Sequence, residues 1–230
     1  MKLFIPYLRY HFVKKIYGDH NSSKVVRKSI KRVLAEMPKD GFGLNIGSGE
    51  TLIHPRIKNL EIYPGENIDY VGKAESIPVP DQSFDLVICQ EVLEHTKDFE
   101  KSLKEMNRIL KPNGQLYLQV PFIIGYHPCP NDYWRFTHEG IERMVLKSNF
   151  LIIKSGESVG AATGFYRISV EFFSIFFSIF IPFMYKVFKG VFAIFFYPIK
   201  WLDTLMSMSK ESHRISGGFY VICIKDNKKY

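Results

Sequence analysis

Only three cysteines occur in the 230 residues, Cys89, Cys129 and Cys223, widely spaced and in no pairing pattern. That argues against a disulfide scaffold and fits free thiols in a reducing compartment. There is no internal repeat. No secretory signal is expected at the start, where the short apolar run is broken by Arg9, Lys14 and Lys15. Long apolar runs are missing too: the charge-free stretches of the Phe-rich segment are 172–185 and 190–199, fourteen and ten residues. A single bilayer span needs about 20. Acid is scarce at the start, where ten Lys/Arg in residues 1–40 meet only Asp19, Glu36 and Asp40, +7 of the chain's +8. A basic arm of this kind meets nucleic acid, anionic lipid or acidic substrate, or is simply a solvated helix face. The expected location is cytoplasmic.

What is present is an alternation. Hydrophobic residues make up 46% of the chain, ample for a core. Residues 22–37 read as a helix, capped at Asn21, Ser22 or Ser23 and stopped by Pro38 and Gly41; residues 1–17 are amphipathic. Strands are expected at 42–46, 58–62, 68–71, 84–89, 115–120, 150–155 and 218–225. Helices are expected at 99–110, closed by the turn Lys111-Pro112-Asn113-Gly114, and at 137–148, capped by Thr137. This predicts an α/β fold with a doubly wound, parallel sheet. The domain division is a basic arm and helix at 1–41, then one domain at 42–230.

Two connections depart from that pattern. Between Gly49 and the second strand lie about eight residues, Pro55 among them, too few for a crossover helix. Residues 165–199 hold eleven of the twenty Phe, with charges only at Arg167, Glu171, Lys186 and Lys189. An apolar helical insertion at 165–209 is expected before the last strand. Its roles, in order of preference, are an interfacial membrane hairpin, core for the N-terminal helix, or a homodimer interface. Apolar insertion plus basic arm is a two-signal arrangement for peripheral anchoring on anionic lipid.

Leu44-Asn45-Ile46-Gly47-Ser48-Gly49-Glu50 runs a first strand into a Gly-x-Gly turn, the mark of a nucleotide-type ligand. Glu61 ends the second strand, where an acid in this fold accepts hydrogen bonds from ribose hydroxyls. A nicotinamide dehydrogenase is disfavoured: position 52 is Leu52 instead of a third glycine, and no full helix follows to receive a pyrophosphate. His127, Cys129 and His138 have no recognisable metal-ligand spacing, and no metal is expected.

The succession LNIGSG, NLEI, GKAESIPVPDQSFDLVICQEVLEH and EMNRILKPNGQLYLQVPF closely resembles class I S-adenosylmethionine-dependent methyltransferases of the small-molecule type. It covers about 43–155 and 217–225. The segment HPCPNDYWRFTHEG at 127–140 looks like a subgroup associated with bacterial surface-polysaccharide and cell-envelope biosynthesis. The resemblance implies a seven-stranded Rossmann-like sheet and S-adenosylmethionine as cofactor. It places Asn45, Gly47, Ser48 and Gly49 under the methionyl and ribose portions and Glu61 at the ribose hydroxyls. Ile62, Ala74 and Glu75 would flank the adenine, and Gln90 and Glu91 the sulfonium end. Asn45 and Lys73 depart from the family, which usually has acids there; Lys73 cannot accept a hydrogen bond.

A sugar hydroxyl needs a positioned base, worth typically 10²–10⁴-fold. Open α/β sheets keep their ligands beyond the strand ends, which singles out His127 as base and Asp132 as its orienter. Tyr133, Arg135 and His95 are the substrate-binding expectations. The leading reading is O-methylation of a sugar or lipid-linked glycan at the inner face of the cytoplasmic membrane, without nucleic acid. The alternative, motivated by Asn45 and Lys73, is a catalytically degenerate, membrane-associated binding or scaffold protein.

Overall fold

The computed structural model describes residues 23–49 and 51–227. The expectations for residues 1–22, the basic arm among them, lie outside the described residues. The chain divides into two compact units. One comprises 28–121, 126–156 and 219–227, and the other 23–27, 122–125 and 157–218.

Seven strands form one sheet in the order β3-β2-β1-β4-β5-β7-β6. They are β1 (Gly43–Ile46), β2 (Ile57–Glu61), β3 (Tyr70–Val71), β4 (Phe84–Gln90), β5 (Leu110–Pro121), β6 (Phe150–Val159) and β7 (Gly218–Lys225). The pairings β1–β2, β1–β4, β2–β3 and β4–β5 are parallel. A parallel sheet covered on both faces needs strands apolar throughout, and β1 and the centre of β4 are fully buried. Leu103, Met106 and Ile109 of helix α2 (Phe99–Ile109) complete that core with Leu116, Leu118 and Val120 of β5.

The first three helices each start where a side chain satisfies an orphan N–H. Ser23 accepts from Val26 N–H (3.1 Å) to open α1 (Lys24–Glu36). Asp98 accepts from Lys101 N–H (2.9 Å) for α2, and Thr137 from Gly140 N–H (3.0 Å) for α3 (His138–Lys147). Arg108 of α2 reaches back to tie the segment before β4. Its guanidinium donates to Val79 O, Ile77 O and Asp81, while Glu105 pairs with it and accepts from Ile77 N–H.

The first crossover has no helix among the described residues: the chain passes from Ile46 to Ile57 as a loop. Asn59 holds that loop, its amide donating to Thr51 O (3.2 Å) and Asn67 O (2.9 Å). Two boundaries differ from the sequence pattern. Residues 110–114 belong to β5 rather than to a helix end and turn, because Leu110 pairs with Phe84 across a register shift. Strand β6 runs on to Val159, and the helix that follows starts at Ala161, not 165.

The second unit is built on α4 (Ala161–Ser178) and α5 (Tyr185–Phe196), followed by the short helix α6 (Asp203–Met206). Pro182 and Pro198 each open a 3-10 turn, at Pro182–Met184 and Tyr197–Leu202. Asp203 accepts from Thr163 N–H (3.0 Å) and the Thr163 hydroxyl (2.5 Å), supplying the cap that Gly160 cannot. Phe173, Phe177, Phe192 and Phe196 stack between the helices, and Glu171 bonds Tyr185 and Lys189. No helix among the described residues is long and apolar enough to cross a membrane.

Candidate active site

A cleft of about 290 Å³ opens at the C-terminal ends of β1, β2 and β4. Ile46, Gly47, Leu60, Glu61 and Ile62 form one side, residues 72–75 another, and Glu91 with Val92 the floor after β4. Residues 95–97, 129–131 and Tyr133 complete the wall.

Gly47 has φ +63°, and a Cβ there would lie 2.3 Å from Val92 Cγ2, so the turn requires glycine twice over. Its N–H and that of Ser48 donate to Leu60 O (2.9 and 3.3 Å). Glu61 locks the turn to the strand end: Oε2 accepts from Gly49 N–H (2.9 Å), and Oε1 from Ile62 N–H (2.8 Å). An ionised carboxylate only accepts, and each oxygen keeps a further lone pair, so Glu61 is suited to hydroxyl donors in the cleft. Behind Glu91 lies a relay of amides. Gln90 donates to Gln119 Oε1 (3.2 Å), as does Tyr117 OH (3.2 Å), and Gln119 donates to Glu91 Oε1 (3.1 Å). Burial, with Tyr220 and Glu91 nearby, pushes the Tyr117 phenol well above its ordinary pKa.

The opposite rim is a 3-10 turn, Leu93–His95, with the loop after β5 pinned onto it. Tyr133 N–H donates to Glu94 O (2.7 Å) and Trp134 Nε1–H to Thr96 O (2.9 Å), while Phe99 meets Trp134 and Phe136 edge-on. Within the loop, Asp132 is nearly inaccessible and takes a bidentate pair from Arg135 (2.5 and 2.6 Å) plus His127 N–H (2.9 Å). Burial alone would raise the Asp132 pKa. The Arg135 and His127 hydrogen bonds and charges outweigh it and bring the value down to about 2.

Two imidazoles converge on a third residue. The His95 and His127 rings are 5.2 Å apart, edge to face. Their Nε2 atoms lie 3.5 and 3.6 Å from Glu94 Oε1. Glu94 is 0% exposed, and neither of its carboxylate oxygens has a hydrogen-bond partner among the described residues. On the far sides of the rings, His95 Nδ1 is 2.6 Å from Asn131 O. His127 Nδ1 is 3.3 Å from Asp132 Oδ2 and 3.3 Å from Arg135 Nη2.

Of the residues expected from sequence, Gly47, Glu61, Ile62, Ala74, Glu75, Glu91, His95 and Tyr133 stand on the cleft wall, and so does Lys73. Glu75 also accepts from Lys97 N–H (3.2 Å). Asn45, Ser48, Gly49, Gln90, His127, Asp132 and Arg135 are not on that wall. Asn45 is buried and donates to Asn59 (3.4 Å). His138 stacks on Phe219, away from the cleft residues. Sequence reading missed Glu94 and Asn59, whose only signal would have been burial of a polar residue. It also missed Val92, which forces glycine at 47.

Residues 45–118 match the family model described as a methyltransferase domain. A stretch of 95 residues is 36% identical to the "Ubiquinone/menaquinone biosynthesis C-methyltransferase UbiE" of Hahella chejuensis, covering 41% of this chain and 34% of that protein. The chain thus spans about a third of that relative's length. In fold, it resembles a putative sarcosine dimethylglycine methyltransferase from Galdieria sulphuraria (TM-score 0.56, 14% identity, 95% and 98% of the two chains). It also resembles the Burkholderia thailandensis 1,6-didemethyltoxoflavin-N1-methyltransferase, solved with that substrate and S-adenosylhomocysteine (TM-score 0.54, 12% identity, 98% and 90%).

Proposed function

We propose that this chain is a class I S-adenosylmethionine-dependent methyltransferase, a reading that the match of residues 45–118 supports, and that it methylates an oxygen of a sugar or lipid-linked glycan at the cytoplasmic membrane face. The observation that carries the methyl-transfer reading is the Gly47 turn locked to Glu61 beside the cleft, in the part of the chain that matches the family. Those residues fit S-adenosylmethionine. Gly47 leaves the backbone open to a close ligand, Glu61 takes ribose hydroxyls, Ile62 and Ala74 offer apolar faces to the adenine, and Glu91 brings negative charge towards a sulfonium. The cofactor supplies an electrophilic methyl group. The chain's own residues have to orient the acceptor and keep water out. Acting on the acceptor's proton falls to the histidine pair, His95 on the wall and His127 behind it, with Asp132 orienting His127. Tyr133 and Arg135 belong to the acceptor side, Tyr133 on the wall and Arg135 through its hold on Asp132.

The membrane part of the reading rests on exposed apolar side chains in the helical unit. Phe172, Phe180, Phe183, Phe195 and Trp201 are all more than half exposed, Phe183 at 85%. Large apolar side chains exposed together on one helical unit suit a lipid or protein contact, and Lys186 and Lys200 suit it to anionic headgroups.

The quinone relatives favour a second acceptor, a ring carbon of a lipid-soluble quinone precursor. The family match ends at residue 118, before the loop that carries His127 and Tyr133. Incubation with methyl-labelled S-adenosylmethionine and a membrane extract separates the two. Label in the glycan fraction supports the first reading, and label in extracted quinones the second. If S-adenosylmethionine fails to bind in calorimetry, both give way to the binding-protein reading that Asn45 and Lys73 suggest.

A further inference from the structure

We infer that Glu94, His95 and His127 form a binding site for one divalent first-row transition-metal ion, placed where the proposed methyltransferase cleft takes its acceptor. The inference deepens that reading and departs from the metal-free expectation of the sequence. His127 pairs here with residues 32 and 33 positions upstream, a spacing that no linear pattern reveals.

The geometry is that of a metal-ligand set. One oxygen or nitrogen from each of the three residues lies within 4.8 Å of the others. Two ligands at about 2.0–2.2 Å from a tetrahedral centre stand roughly 3.3–3.6 Å apart, and the Glu94–His95 and Glu94–His127 separations are 3.5 and 3.6 Å. Neither is a hydrogen bond.

His95 Nδ1 sits 2.6 Å from Asn131 O, a contact that requires the proton on Nδ1. In the neutral ring Nε2 is then a bare lone pair, aimed at a carboxylate that offers only lone pairs. A cation between them turns that repulsion into two bonds. Backbone carbonyl and carboxylate partners on the outer nitrogens are the usual supports of metal-bound imidazoles. Asn131 O plays that part for His95 and Asp132 for His127, and Arg135 in turn fixes Asp132. Glu94 adds the independent sign. It is a carboxylate with 0% exposure and no hydrogen bond to either oxygen, which is costly to bury as it stands.

Two imidazoles and one carboxylate suit zinc, iron or manganese better than magnesium or calcium, which prefer all-oxygen shells. Three protein ligands leave positions open, and His95 brings the set to the cleft wall. An acceptor hydroxyl reaching the ion is acidified and gives its proton to water. Its oxygen then bonds to the methyl carbon as the carbon–sulfur bond breaks, the electron pair staying on sulfur. On this assignment the histidine pair acts on the acceptor's proton through the ion it holds, with His127 as a ligand.

The test uses the untagged full chain, stripped with chelator and titrated with Co²⁺, Mn²⁺ and Zn²⁺. Co²⁺ absorption and calorimetry are read together with S-adenosylmethionine affinity on the same sample. One ion per chain is expected, with a Co²⁺ spectrum of imidazole and carboxylate ligation. His95→Gln and His127→Gln should each weaken binding at least ~10-fold, and Glu94→Gln comparably. Far-UV circular dichroism confirms that each variant is folded. If any of them unfolds, the wild-type spectrum and metal-dependent shifts of the His95 and His127 ring resonances decide instead. No binding below millimolar metal, or unchanged affinity in folded His95→Gln and His127→Gln, overturns the site. Metal binding without S-adenosylmethionine binding leaves the site standing and overturns the methyltransferase reading; the reverse pattern does the opposite.

Discussion

Apolar side chains serve opposite ends in the two units. In β4 and α2 they vanish into the sheet core, with Leu86, Val87, Leu103 and Met106 at 0–1% exposure. In α5 and the C-terminal half of α4 an apolar sequence is instead displayed: of α5 only Ala193 is buried, and beyond Val170 of α4 only Ser174. Hydrophobicity is therefore not what distinguishes core from surface here. What differs is the number of faces covered: a parallel strand is packed on both sides, whereas α5 is covered along one face only, where its rings meet those of α4. Side chains left over on the helices touch at most one or two rings of their own unit, as Phe180 touches Phe176, and keep most of their apolar surface in reach of something else.

That contrast can be broken by substitution. Met106→Ala, in the sheet core, should cost about 2–5 kcal/mol because it empties a site that neighbours cannot refill. A denaturant midpoint shift at unchanged slope checks it. Gly47→Ala comes next, on the order of 1–3 kcal/mol, since Val92 must move and a left-handed φ must be held. Calorimetry should show S-adenosylmethionine binding lost as well.

Glu105→Gln should cost about 1 kcal/mol at neutral pH by loosening the Arg108 tie. The sign of its pH dependence is fixed. The Arg108 hydrogen bond is the main cause that holds the Glu105 pKa below its ordinary value of 4.5. Its contribution is full above that value and fades as pH falls through the lower, folded one. Acid titration of the melting temperature should be flatter in the variant. The smallest effect belongs to the helical pair. Phe180→Ser with Phe183→Ser should change stability by less than about 0.5 kcal/mol, yet reduce sedimentation with anionic vesicles at least ~10-fold. A large loss of stability instead would mean that the pair is core after all.

Much of this was legible in the sequence because burial on both faces writes itself as continuous apolar runs such as FDLVIC. The missing first helix was legible from Pro55 and a short gap. Residues 110–114 were not: Lys111-Pro112-Asn113-Gly114 has turn chemistry, and only pairing of Leu110 with Phe84 makes it strand. In the site, Gly47 and Glu61 were visible because backbone geometry leaves a residue signature. Glu94 was not, since a glutamate in Val-Leu-Glu-His reads as a solvated turn, and its burial depends on a loop more than thirty residues downstream.

The helix-free crossover also bears on how the chain folds. Gly43 meets Ile57, and Leu60 meets Tyr70, so the three strands on one side of the cleft are joined by contacts only 14 and 10 residues apart. On the other side Gly43 meets Leu86, 43 residues away. Closing the longer loop costs about 1 kcal/mol more in chain entropy than the 14-residue one. The Gly47 turn and Glu61 can thus associate early, as a local ribbon, before β4 arrives with Val92 to close over them. The β1–β3 side of the cleft is assembled from neighbours in sequence, and the side beyond β4 has to wait for the rest of the chain.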